Sequence, residues 1–192
     1  MGVCGAISAD MLINCANPII GGVKDRLILI NRSDVASVTR NGTNPQIVES
    51  VTKVATKKGY LYEGQKSSID VKTSMVAKKY SVGFSHEITF RVFSNDATTK
   101  AQLSALARGE VIAFLENNNR GVAGEASFEM YGWGVGLQVS ALESNKSDAD
   151  TQGAYVITLT APTDKMEPHL PDTLYVTSYA ASLAVFNGLL VA

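Results

Sequence analysis

The stretch Ser81-Val-Gly-Phe-Ser-His-Glu-Ile-Thr-Phe-Arg-Val-Phe93 alternates with period two over a dozen residues. Val82, Phe84, His86, Ile88, Phe90 and Val92 fall on one face, and Ser81, Gly83, Ser85, Glu87, Thr89 and Arg91 on the other. Successive side chains of an extended chain point to opposite faces, so this pattern predicts a strand with one buried side. Ile69-Asp-Val-Lys-Thr73 alternates in the same way just upstream. A strand followed by a strand of matching pattern, in a chain short of helical periodicity, sets the fold class as mainly β.

Downstream, Asn95 or Asp96 offers a side chain to cap a helix that runs from Ala97 to Arg108 and stops at Gly109. Leu103 and Leu106, with Ala107, give it a narrow apolar stripe. Val111 to Leu115, Phe128 to Leu142 and Tyr155 to Leu159 read as further strands, and Tyr175 to Val191 as one or two apolar strands. Upstream, Arg26 to Ile30 is a short apolar run suited to a core strand. Asn31 to Pro45 is turn-rich around Asn41-Gly42, and Ile47, Val51 and Val54 sketch a weaker strand. Seven or eight strands and one helix, without regular β-α-β alternation, predict a β-sandwich or small barrel with one flanking helix. The 192 residues form a single domain, with an extended hairpin at about 60–80.

Charge narrows the function. Charged residues make up 18% of the chain, below the usual share of about 25%. A surface rich in Gly, Ser, Thr, Ala and Asn suits one that other protein copies cover. The net charge of −1 argues against a general nucleic-acid binder, which needs a basic excess to displace counterions. Residues 53–79 nonetheless hold seven lysines (Lys53, Lys57, Lys58, Lys66, Lys72, Lys78 and Lys79) against Glu63 and Asp70, a local +5. Lysines at a hairpin commonly keep a sheet edge from unwanted pairing. They can equally dock on an acidic surface, and residues 143–167 carry five acids and two lysines.

Catalytic and metal chemistry find little footing, and the expectation is no enzyme, no cofactor and no metal. Cys4 and Cys15 have no CxxC or Cys/His spacing for zinc and are expected to be reduced thiols. Gly59-Tyr-Leu-Tyr-Glu-Gly64-Gln65-Lys66-Ser67 misses the phosphate-loop pattern, because Gln65 separates the glycine from the lysine. Gly132-Trp-Gly-Val-Gly136 has the wrong spacing for dinucleotide binding, and glycine within a strand marks a bulge or a close backbone approach. Asp148-Ala-Asp150 opens like a calcium loop, but Leu159 stands where the bidentate glutamate belongs. His86 reads as a core or interface histidine bonded to a carbonyl, and His169, between Pro168 and Pro171, as exposed. Glu125 and Glu129 could form an acid–base pair only if brought together in space. Met1 to Ala6 lacks the Ser or Thr that acylation prefers, no signal peptide is recognised, and no apolar run reaches the about 20 residues of a membrane span. A cytosolic product without a membrane anchor is expected.

The order and spacing of these elements resembles the tail-tube and ring proteins of tailed bacteriophages, especially those infecting Bacteroides and the crAss-like phages. The features are the lead-in Cys15-Ala-Asn-Pro-Ile-Ile-Gly-Gly-Val-Lys-Asp-Arg-Leu27, the Ser/Lys-bearing hairpin at about 60–80, and the strand Tyr80 to Phe93. The helix 96–108, the strand Glu110 to Asn117, Tyr131-Gly-Trp-Gly-Val-Gly-Leu137 and Ala154-Tyr-Val-Ile-Thr-Leu-Thr-Ala161 follow. The resemblance implies a helix-flanked β-sandwich whose subunits join strands around a lumen. It implies a virion structural protein of the tail or neck, made in the host cytoplasm, in rings of roughly six or twelve copies. Its partners would be other tail, neck or portal-proximal proteins, with DNA or cargo protein passing transiently and without sequence readout. Lys66, Lys72, Lys78, Lys79, Phe186 and Leu189 are the expected interface residues. The alternative is a soluble β-sandwich module binding a carbohydrate or peptide, with Tyr131 and Trp133 as its contacts.

Overall fold

A computed structural model describes residues 9–12, 15 and 18–192. Cys4 and the Met1–Ala6 segment lie outside the described residues, and Cys15 is exposed. Among the described residues, eleven strands form two sheets. The larger sheet has the order β2-β3-β11-β8-β7-β1-β4, and the smaller β5-β6-β10-β9. The first contains β1 (Val23–Asn31), β2 (Val35–Arg40), β3 (Ile47–Lys53), β4 (Tyr60–Glu63), β7 (Val111–Asn117), β8 (Phe128–Tyr131) and β11 (Asp172–Leu174). The second contains β5 (Ile69–Lys78), β6 (Ser81–Val92), β9 (Gln138–Glu143) and β10 (Tyr155–Thr160). Pairing is antiparallel except between β11 and β3, which run parallel.

The larger sheet is apolar on both faces, and this explains its sequence. Leu27, Leu29, Val111, Ala113 and Leu115 face the smaller sheet, where they meet Ile88, Phe90, Ile157 and Leu159. Ile28, Ile30, Ile112 and Phe114, the alternate residues of the same strands, face the other way into a second core with Phe128, Met130, Leu174 and Phe186. A strand buried on both sides reads as a continuous apolar run, as Leu27 to Ile30 does. The helix α1 (Ala97–Leu106) adds Leu103 and Leu106 to the first core, and the Asp96 side chain caps it by accepting from the Thr99 N–H at 2.8 Å.

The C-terminal segment departs from expectation. In place of apolar strands, it holds the three-residue β11 and a second helix, α2 (Tyr179–Gly188). Ser178 caps this helix by accepting from the Ala181 N–H. Tyr179, Ser182, Leu183, Phe186, Leu189 and Leu190 form its inner stripe against the second core. The Ser182 hydroxyl explains how a polar residue sits there fully buried, because it donates to the Ser178 carbonyl and accepts from the Val176 N–H. The fold is therefore a β-sandwich flanked by two helices.

Two further differences concern strands. Phe128 to Leu142 is not one strand: β8 and β9 belong to different sheets, separated by a turn in which Gly132 and Gly136 take φ of +77° and +80°. β2 lies within the stretch read as turn-rich. There, the Asn41 side chain still makes the expected turn, accepting from the Thr43 and Asn44 N–H groups, each at 2.9 Å.

Candidate functional site

The β5–β6 hairpin is the most extended feature of the molecule. Its arms are ten and twelve residues long, pairing from Ile69↔Phe90 to Lys78↔Ser81 around Lys79-Tyr80. The hairpin thus spans 69–92, not about 60–80, because residues 60–63 pair with β1 in the other sheet. At its root, Ile69, Ile88 and Phe90 are buried in the core. Towards the tip the same face continues with Met75 and Val82, 67% and 64% exposed, beside Tyr80 at 88%. The inward pattern thus outruns the core that it would cover.

All four expected lysines, Lys66, Lys72, Lys78 and Lys79, are exposed. The register sets Lys72 opposite Glu87, a favourable cross-strand charge pair. Lys79 lies with its Nζ 5.0 Å from the Tyr80 ring centroid. The hairpin also rests on its own chain. Phe84 and Glu167 exchange both backbone hydrogen bonds, at 2.8 and 2.9 Å, and the Lys78 Nζ reaches the Asp164 carbonyl at 3.3 Å. Part of the acidic 143–167 segment is therefore engaged by the hairpin within the subunit. Of the remaining lysines, Lys53 donates to the Gly188, Leu189 and Val191 carbonyls at the end of α2, and Lys57 lies 3.5 Å from Asp34.

Phe186 and Leu189 require correction as interface residues. They are 0% and 1% exposed inside the second core, with Phe186 packed 4.9 Å from Phe128 between ring centroids. The folded subunit does not present them to a neighbour.

Beneath the hairpin lies a buried polar joint that the sequence did not announce. The Glu167 carboxylate, in the connection between β10 and β11, accepts from the Gly134 and Val135 N–H groups at 3.0 Å each. Burial pushes its acidity towards the neutral form, and the two backbone donors oppose this. Alongside, Arg40 holds Asp172 with two donors, at 2.7 and 2.8 Å. Residues 132–136 thus make the close backbone approach expected of their glycines. The missed residue is Glu167: its partners are over thirty positions away, and no local pattern marks it.

The remaining candidates are occupied locally. Glu125 accepts from the Val122 and Ala123 N–H groups, and Glu129 from the Tyr131 hydroxyl, so the two are bound in separate contacts. Tyr131 is buried, its phenol pushed up by burial and by Glu129, and Trp133 is half-buried. Asp148 accepts from the Asp150 N–H and the Thr151 hydroxyl. His169 is exposed, and His86 is buried with no protein group in hydrogen-bonding geometry at either ring nitrogen. Among the described residues, no three His, Cys, Asp or Glu side chains converge as metal ligands. An open groove of about 730 Å³ lies between α1 and β4, the outermost strand of the larger sheet among the described residues, and is lined by Tyr60, Leu61, Phe93, Gln102 and Leu103. No protein-family model, curated protein or solved structure matches the chain.

Proposed function

We propose that this chain is a structural subunit of a tailed-phage virion that assembles through its β5–β6 hairpin into a ring or tube of the tail or neck. The channel of that ring passes the genome or cargo protein, and the subunit performs no chemistry. The observation that carries this reading is the hairpin tip, where Met75, Tyr80 and Val82 continue a core-facing pattern beyond the core. Apolar side chains in that position gain burial only against another chain. The low charge and the flanking lysines agree with this, since contacts between copies replace surface that a monomer would hydrate. Other tail, neck or portal-proximal proteins are the further partners, and the assembled location is the virion.

Light scattering on a size-exclusion column over a concentration series, with negative-stain images of each peak, tests the reading. Rings or tubes of uniform diameter are the expected result. A monomer at every concentration, also in the presence of the neighbouring virion proteins, would overturn it.

The groove beside β4 favours a second reading, a peptide-binding module. An extended peptide would pair with the outer edge of β4, which no strand covers among the described residues, while its side chains enter the groove. The burial of Tyr131 removes one of the two aromatic contacts expected of a carbohydrate- or peptide-binding module, so this reading rests on the groove alone.

A further inference from the structure

A small pocket of about 30 Å³, open to solvent on the side of His169 and Leu170, lies where the hairpin, the β8–β9 turn and the β10–β11 connection meet. Arg40, His86, Trp133, Glu167, His169 and Asp172 are among its walls. His86 is 2% exposed, and no protein group hydrogen-bonds either ring nitrogen. Tyr131 closes another side of the ring edge-on, with centroids 5.4 Å apart. The His169 carbonyl is near enough to favour a proton on the ring but stands outside bonding geometry.

A neutral imidazole carries one donor and one acceptor, and leaving both dry in a protein interior is costly. The carboxylates of the same cavity have acceptor capacity to spare. Each Glu167 oxygen takes one backbone N–H. Asp172 accepts three donors, two from Arg40 and one from Gln46. A carboxylate offers about four acceptor positions, so both groups can take another hydrogen bond. The space also suffices, because one water needs about 10–15 Å³ of such volume and two or more polar partners.

We infer that this cavity is a binding site for one ordered water, which links a ring nitrogen of His86 to a carboxylate in the cavity wall. The water supplies what the protein does not: one of its hydrogens goes to the unprotonated ring nitrogen and the other to a free acceptor position of the carboxylate. It joins the β6 arm of the hairpin to the Glu167 and Asp172 segments, so solvent forms part of the packing at the hairpin's base. This proposal concerns the folded subunit and does not depend on the assembly reading.

A high-resolution crystal structure at neutral pH tests it, paired with water-to-protein cross-relaxation measured at the His86 ring protons by NMR. The expected result is a single density peak within about 3.2 Å of a His86 ring nitrogen and of a second polar atom. The NMR experiment should show a long-lived water contact. Well-defined side chains around an empty cavity, or a ring turned to donate directly to the His169 carbonyl with no peak beside it, would overturn the proposal. In a His86→Phe variant the peak should vanish. Its persistence there at full occupancy would show that the imidazole does not hold the water.

Discussion

The Glu167 carboxylate fills the space that a side chain on Gly134 would need. The Gly134 N–H donates to the Glu167 carboxylate at 3.0 Å. A Cβ on Gly134 would overlap that carboxylate and come within 2.9 Å of Pro168 Cδ. Gly134→Ala is therefore expected to lower the unfolding free energy by about 1–3 kcal/mol, the usual cost of forcing atoms into packed space. Gly42→Ala, where nothing lies within 4 Å, is the control and should stay within about 0.5 kcal/mol. Urea unfolding of both variants checks this, and equal stabilities would contradict the fit described.

The Arg40–Asp172 pair makes an uneven claim on stability. Asp172 is 7% exposed, so removing its partner leaves an uncompensated charge in the interior. Arg40→Met should cost about 3 kcal/mol, the lower end of the range for broken buried pairs, because solvent still reaches part of the guanidinium. Arg40→Lys keeps the charge but not the two-pronged geometry, and an intermediate loss is expected in thermal or urea unfolding.

Stability should fall as the pH drops below about 6.5. Burial lowers the His86 pKa from its ordinary 6.5, so the unfolded chain takes up a proton that the folded chain refuses. The stability present above 6.5 is then lost between that pH and the folded value, at no more than about 1.4 kcal/mol per pH unit. Glu167 acts oppositely. Its pKa is raised from 4.5, so its contribution is greatest in acid and is lost as the pH rises past 4.5. Arg40, Glu167, His169 and Asp172 line the cavity beside the ring, with Glu129 behind Tyr131. Urea midpoints from pH 7.5 down to about 5 should decline in the native chain, and in His86→Phe should hold level or rise as the Glu167 contribution is left alone. A decline that survives this substitution would assign the proton uptake elsewhere.

Assembly and folding should separate at two sets of residues. Phe186→Ala empties a fully buried position and should cost about 3–5 kcal/mol in unfolding experiments. Lys72→Glu combined with Lys79→Glu alters exposed positions; setting a like charge opposite Glu87 should cost at most about 1 kcal/mol in unfolding, far less than Phe186→Ala, while the yield of rings or tubes falls. Light scattering and negative-stain counts would read the second effect. An undiminished yield in the double variant would remove these lysines from the interface.

What the sequence made visible was whatever has a local cause. The alternation of β6 and the Asp96 cap of α1 are written in adjacent residues, and the structure has both where they are expected. α2 went unread because Tyr179 to Val191 is apolar nearly throughout, which hides a helical stripe in a run that also suits a strand. The signal was present in Ser178, a capping residue, followed by the spacing of Tyr179, Ser182, Phe186 and Leu189. β11 has three residues and no periodicity, and only its neighbours β3 and β8 make it a strand. Glu167 likewise owes its place to a turn brought to it by the sheets, so no window of sequence contains its partners. Phe186 and Leu189 were misassigned for a related reason: an apolar side chain looks the same whether its cover comes from its own chain or from another.

The position of β11 also bears on the order in which the protein can be made. Within the larger sheet, Asp172–Leu174 stands between β3 and β8, joining the β2–β3 hairpin to the other strands. During synthesis, β2 and β3 emerge early and can do no more than pair with each other. Their place in the sheet opens only after more than a hundred further residues have left the ribosome. Such a long-range closure is slow and leaves strand edges exposed while the chain is unfinished. A nascent chain stalled before Asp172 should be held by chaperones that bind unpaired strands, and release of the last segment should set the moment at which the subunit becomes native.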